Sequence, residues 1–183
     1  MSLFHSNTEL LIDYWRRCAP MGGLPPRTAI DPTAFAPLLP QVFVLGRTAS
    51  GVYPVRLAGG FVADLHKSDL RRRNGLSLWS ERDRPRLHIA LEEARLRPEP
   101  LVATAEILTD GPSIGMEVLF APLAGVDGGP DRFLGLYQPL SMVARLLGRP
   151  ALELSVRRLR RGGPANEEAP RIRLATLDGR RIA

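Results

Sequence analysis

Residues 101–123 read LVATAEILTDGPSIGMEVLFAPL. Two apolar runs, Leu101 to Leu108 and Gly115 to Leu123, flank Thr109-Asp110-Gly111-Pro112. Asp-Gly between apolar runs is a strong hairpin signal, because both residues tolerate the backbone angles of a tight turn. Asp127-Gly128-Gly129-Pro130 repeats the signal before a third run, Arg132 to Gln138. Upstream, Gln41 to Arg47 and Tyr53 to Ala58 flank the short loop Thr48-Ala49-Ser50-Gly51. Pro54 cannot donate to a ladder and marks an edge strand. Five strands joined by hairpin steps predict an antiparallel sheet.

Between the second and third strands the period turns helical. Phe61, Val62 and Leu65 predict one short helix, and Asn74-Gly75 a break. Asp83 reads as the N-cap of a longer helix with Pro85 in its first turn, where a missing N–H costs little. Leu87, Ala90, Leu91 and Ala94 form its inward stripe, and Pro98 stops it. Leu140, Val143, Leu146 and Leu147 suggest a further short helix closed by Gly148.

At the start of the chain, Ser6-Asn7-Thr8-Glu9 has capping-box spacing. Leu10, Leu11, Tyr14, Trp15 and Cys18 then form one apolar stripe, which ends at Ala19-Pro20 and leads into a proline-rich connector. That stripe either packs on the chain's own sheet or pairs with its counterpart in a homodimer through Leu10, Leu11, Tyr14 and Trp15. The expected class is α+β: a five-stranded antiparallel sheet with helices on one face, able to curve around a small pocket, plus an N-terminal amphipathic helix. It divides into helix and connector (1–40), sheet domain (41–148) and a basic extension (149–183).

Composition is consistent with one globular core: 183 residues, 44% hydrophobic and 24% charged. With 17 Gly and 17 Pro, short elements and turns are expected rather than a long-helix bundle. One cysteine, Cys18, forbids an internal disulfide and Cys-rich zinc sites, which suits a reducing compartment. There is no signal-peptide pattern and no apolar run long enough to span a membrane, so a cytoplasmic location without membrane insertion is expected. The net charge of +6 is concentrated at the end, where nine arginines after residue 148 face Glu153, Glu167, Glu168 and Asp178.

Several short strings resemble one family, the short PAS-domain proteins found chiefly in alphaproteobacteria. They are Asp13-Tyr14-Trp15, Leu24-Pro25-Pro26-Arg27, Ile30-Asp31-Pro32, Leu38-Leu39-Pro40, Val55-Arg56-Leu57-Ala58-Gly59, Leu76 with Trp79, and Glu117 to Leu123. The resemblance spans roughly residues 10–148, and the strand and helix order agrees with a PAS domain. It implies a single cytoplasmic PAS domain without an output domain, acting in signal transduction through a signalling protein partner, a small-molecule ligand or a homodimer. Haem or flavin is compatible with the resemblance, but no residue pattern supports either, and the cofactor stays unknown.

The residues themselves support little other chemistry. His88, on the long helix where a haem-binding relative would carry its ligand, stands off the Leu87/Leu91 stripe as a rim residue would. Arg72-Arg73-Asn74-Gly75 lacks the cysteine of a light-sensing flavin domain. No nucleophile elbow, phosphate loop or zinc motif occurs, so no enzyme, catalytic residue or metal site is expected. Arg56 and Glu117 interrupt apolar strands; either they pair across neighbouring strands, or one of them points into a pocket to bind a polar ligand. Trp79 is core or a stacking platform. Arg56, Trp79, His88 and Glu117 are thus the ligand-pocket candidates. The alternative function is a nucleic-acid-binding regulator using Arg157, Arg158, Arg160 and Arg161 against phosphates, although no aromatic residues are interleaved among them.

Overall fold

The computed structural model describes residues 3–21, 23–125 and 128–162. Helix α1 (Ser6–Cys18) is followed by short 3-10 segments at Arg27–Ala29 and Pro32–Gln41. Then come β1 (Val42–Gly46), β2 (Val55–Ala58), α2 (Gly60–His66), a 3-10 turn at Gly75–Leu78, and α3 (Arg84–Leu96). The chain closes with β3 (Leu101–Leu108), β4 (Ile114–Ala124), β5 (Pro130–Pro139), a 3-10 turn at Val143–Leu146, and β6 (Glu153–Arg161).

The sheet is antiparallel throughout, in the order β2-β1-β5-β4-β3-β6. It has six strands rather than the expected five. The sixth comes from the segment that reads as a charged extension, and it pairs with β3 from Leu108↔Glu153 to Leu101↔Arg161. Arginine density hid its alternation. Leu154 and Val156 face the core, and a bulge opposite Thr104/Ala105 puts Arg157 and Arg158 in succession toward solvent before the half-buried Leu159. Charged side chains along an edge strand also discourage pairing with another chain.

Both faces of the sheet are covered. One face carries Phe43, Leu45, Met116, Val118, Phe120 and Phe133 beneath α2 and α3. The other carries Val42, Leu119, Ala121, Leu123, Leu134 and Leu136 beneath α1 and the connector's Phe35 and Leu38. A strand buried on both faces needs no polar alternation, which explains the nearly unbroken apolar run of β4. The N-terminal stripe is therefore packed on the chain's own sheet: Leu11, Tyr14 and Trp15 are buried, and the Trp15 indole N–H donates to the Pro122 carbonyl at 2.7 Å.

Two helix caps differ from their sequence reading. His5, not Ser6, caps α1, its Nδ1 accepting from the Asn7 N–H, and Glu9 reaches back to the N–H groups of Leu3 and Phe4. Asp83 stands at the start of α3 but makes no cap bond. Its Oδ2 instead accepts from Ser80 Oγ (2.6 Å), Ser155 Oγ (3.2 Å) and the Val156 N–H (2.8 Å). Burial opposes the Asp83 charge, but these donors and Arg82 outweigh it and hold the carboxyl below its ordinary range. A carboxylate with a tertiary donor set has no need of the helix end, and here it fastens β6 to α3.

Candidate functional site

The space between the sheet and α2/α3 is the first place to look for a ligand. Gly135 on β5 leaves room for the Phe43 ring to lie across the strand; a Cβ there would sit 2.0 Å from the ring. Phe43 meets Phe120 and Tyr137 edge-on, with centroids 5.6 and 5.3 Å apart. Trp79 closes the group against Phe120. What remains is a cavity of about 20 Å³, lined by apolar side chains and the Tyr137 ring. Ligand sites usually occupy roughly 300–1,000 Å³. The residues present therefore do not fit haem or flavin, and Cys18 lies on α1, across the sheet from this interior.

A buried polar pair sits nearby. His66 Nε2 lies 3.4 Å from the Tyr137 hydroxyl. Burial, assisted by the charge of Arg73, pushes the His66 pKa down to about 4. The folded protein thus binds fewer protons than the unfolded chain between about 4 and the ordinary 6.5, so stability is lost as pH falls through that window.

Of the four pocket candidates only Trp79 lines this interior. Arg56 lies on the opposite face, its guanidinium stem over Gly46. Glu117 is also on that face, beneath the start of α1, where it accepts from the His5 N–H at 3.0 and 3.3 Å. An Arg56–Glu117 pair is not formed, because β1 and β5 stand between β2 and β4. Glu117 and its cross-strand neighbour Gln138, which accepts from Asn7 at 2.9 Å, fix the entry of α1 instead. His88 is a rim residue, 3.4 Å from Ser50 Oγ and edge-on to Tyr53. Of the dimer candidates, Leu11, Tyr14 and Trp15 are core, and only Leu10, 47% exposed, is open to a partner.

Glu92 on α3 is a hub. It accepts from Arg47 (2.8 and 3.1 Å), Arg95 (2.7 and 3.2 Å) and the Tyr53 hydroxyl (2.5 Å), tying α3 to the β1–β2 hairpin. Burial opposes its charge, but the bonds from Arg47, Tyr53 and Arg95 dominate and bring its pKa down to about 2. The sequence signal was Arg47 at a strand end, which nothing local pairs with a helix residue 45 positions on. With these side chains about a fifth exposed, the network lies between a surface and a buried one. Glu92→Gln is expected to cost about 1–2 kcal/mol at neutral pH. A folded pKa below the unfolded one means that this contribution is present above about 4.5 and fades toward 2, so urea melts at successive pH values should show the variant and wild type converging in acid. A gap independent of pH would remove the ion pairs as its cause.

The larger concavity is on the other side of the sheet. A cleft of about 660 Å³ runs between the connector and the outer face of β1, β2 and β5. Val42, Val44, Leu57 and Leu134 form its floor, Ile30 and Phe35 its wall, and Arg27 and Arg132 are its charged residues. Sequence reasoning placed no ligand here, because the cleft exists only once the prolines fold the connector back over strands that are distant in sequence.

The basic cluster on β6 is partly neutralised within the chain. Arg157 pairs with Glu106, and Arg161 with Glu93 at 2.8 Å and Glu99 at 3.6 Å. Residues 163–183 of the proposed extension lie outside the described residues. Among the described residues no cluster of potential metal ligands occurs, and no helix is long and apolar enough to cross a membrane.

The antiparallel sheet order, with α2 and α3 closing one face over a filled interior, is the architecture of a PAS domain. A family model described as PAS domain matches residues 3–138, and the chain belongs to the PAS domain family. Strand β6 lies beyond that match. Among solved structures, the dark state of the blue-light photoreceptor Aureochrome1 LOV is similar at 16% identity and TM-score 0.46, over 63% of this chain and 86% of that one. The Rhodobacter sphaeroides LOV protein gives 16%, 0.46, 64% and 72% on the same measures. An RNA-binding light-oxygen-voltage receptor gives 21%, 0.47, 67% and 37%. A search of curated proteins gave no match.

Proposed function

We propose that this chain is a cytoplasmic PAS signalling module that works through its surfaces, with its interior taken up by its own side chains. The observation behind this reading is the group Phe43, Trp79, Phe120 and Tyr137, which leaves about 20 Å³ where a chromophore would need to sit. A change of state then arises when a ligand or partner protein binds one arrangement of the helices on the sheet better than another. The fixed points for such a rearrangement are the Glu117 contact with α1 and the Glu92 hub on α3.

The test is an absorption spectrum of the purified protein, repeated after incubation with flavin mononucleotide and with haemin and then desalting. No retained visible band is expected from either. A stoichiometric band that survives desalting would overturn the surface reading and make the module a chromophore-based sensor.

A further inference from the structure

We propose that the outer cleft is a ligand site for an acyl carboxylate, its chain on the aliphatic floor and its head at Arg27 and Arg132. The cleft's volume of about 660 Å³ lies within the range of small-molecule sites, and its floor is provided by Val42, Val44, Leu57 and Leu134. Leu57 is 49% exposed and Leu39 at the rim 38%, so apolar surface that a chain could cover faces water. The floor is aliphatic, with Phe35 the one aromatic residue of the lining, which suits a flexible chain better than a stacked ring.

Charge decides the head group. The charged residues of the lining are two arginines, with Thr28 beside them. Among the described residues no carboxylate lies within ion-pair distance of Arg27, and Arg132 reaches only its neighbour Asp131, at 3.5 Å through Nε. Arg56 adds a third guanidinium on the same face, over Gly46. Arginine presents a planar fork that matches a carboxylate, and a charge-assisted pair is roughly twice as strong as a neutral hydrogen bond. An acyl carboxylate would also bridge two parts of the chain: the connector that carries α1, and the β2 edge that leads into α2. Binding would bias how α1 and α2 sit on the sheet, which deepens the surface-signalling reading and rests on it for its consequence.

Calorimetric titration of the full chain with decanoate, below its micelle concentration, tests the site; decanol and acetate are the controls. One decanoate per chain should bind, and acetate should not. Replacing both Arg27→Gln and Arg132→Gln should weaken decanoate about tenfold or more while leaving decanol unchanged. Leu57→Glu should abolish both, with unchanged melting temperatures showing that these surface variants fold. Methyl chemical shifts should move at Val44 and Leu134 and stay still at Val118 in the interior. No binding up to the micelle concentration, equal affinity in the arginine variant, or binding that survives Leu57→Glu would overturn the proposal. A concentration-dependent dimer lost in Leu57→Glu, without decanoate binding, would also overturn it and assign the cleft to a second copy. Decanoate adds no visible band, so this result and the chromophore result fail independently.

Discussion

Phe43→Ala is expected to destabilise the protein by about 3–5 kcal/mol, the range for removing a buried aromatic ring. The ring touches Phe120 and Tyr137 edge-on and lies over Gly135, which has no side chain to move into the gap. The deleted volume should join the existing cavity of about 20 Å³ and leave an apolar hole, because its lining offers a water almost nothing to bond. Indole or benzene should then raise the variant's midpoint in urea melts and leave the wild type unchanged. Phe43→Leu, which refills much of the space, should recover a large share of the loss and bind neither molecule. If Phe43→Ala melts with the wild type, the ring does not plug the interior, and the argument against a chromophore weakens with it.

The second large effect separates two adjacent glycines. A Cβ on Gly59 would lie 2.3 Å from the Leu39 carbonyl oxygen and 2.4 Å from that of Pro40. Both are backbone atoms of the connector, so no rotamer change relieves the contact. Gly59→Ala must push α2 away from the connector and stretch the bond from the Gly59 N–H to the Val42 carbonyl, now 2.8 Å. The expected loss exceeds the roughly 1–3 kcal/mol of ordinary overpacking and takes a large share of a typical stability of about 5–15 kcal/mol. Gly60, one residue on, opens α2 with nothing within 4 Å of its would-be Cβ. Gly60→Ala should be neutral or stabilise by up to about 1 kcal/mol, from helix propensity. Thermal melts of the pair decide the matter: similar midpoints would show that the close approach of connector and α2 is not present in solution.

Local chemistry wrote most of the sheet into the sequence. Asp110-Gly111, the Asp-Gly-Gly-Pro string at 127–130, Pro54 at an edge and the apolar runs between them were enough to read five strands from the sequence. Where two signals competed, charge density misled: Arg157 to Arg161 hid the alternation of Leu154, Val156 and Leu159 in β6. The site was less legible for a topological reason. Arg56 and Glu117 look like a pair only if their strands adjoin, and hairpin order cannot reveal that β5 returns between β1 and β4. The bonding partners of Glu92 and Asp83 were hidden because they lie across long loops of chain, and the outer cleft because it is made of residues from 27 to 134.

The position of β6 also sets an order of events during synthesis. Strand β3 is made well before its outer neighbour, and until residues 153–161 have left the ribosome its edge is unpaired and the Asp83 carboxylate lacks the Val156 N–H and Ser155 donors. The nascent domain therefore passes through an interval with an open apolar edge, the kind of exposure that favours misassociation and engages chaperones. The arginine-rich strand that ends this interval is among the last parts of the described chain to be translated, so the finished edge carries several arginines where the transient one carries Glu106 alone.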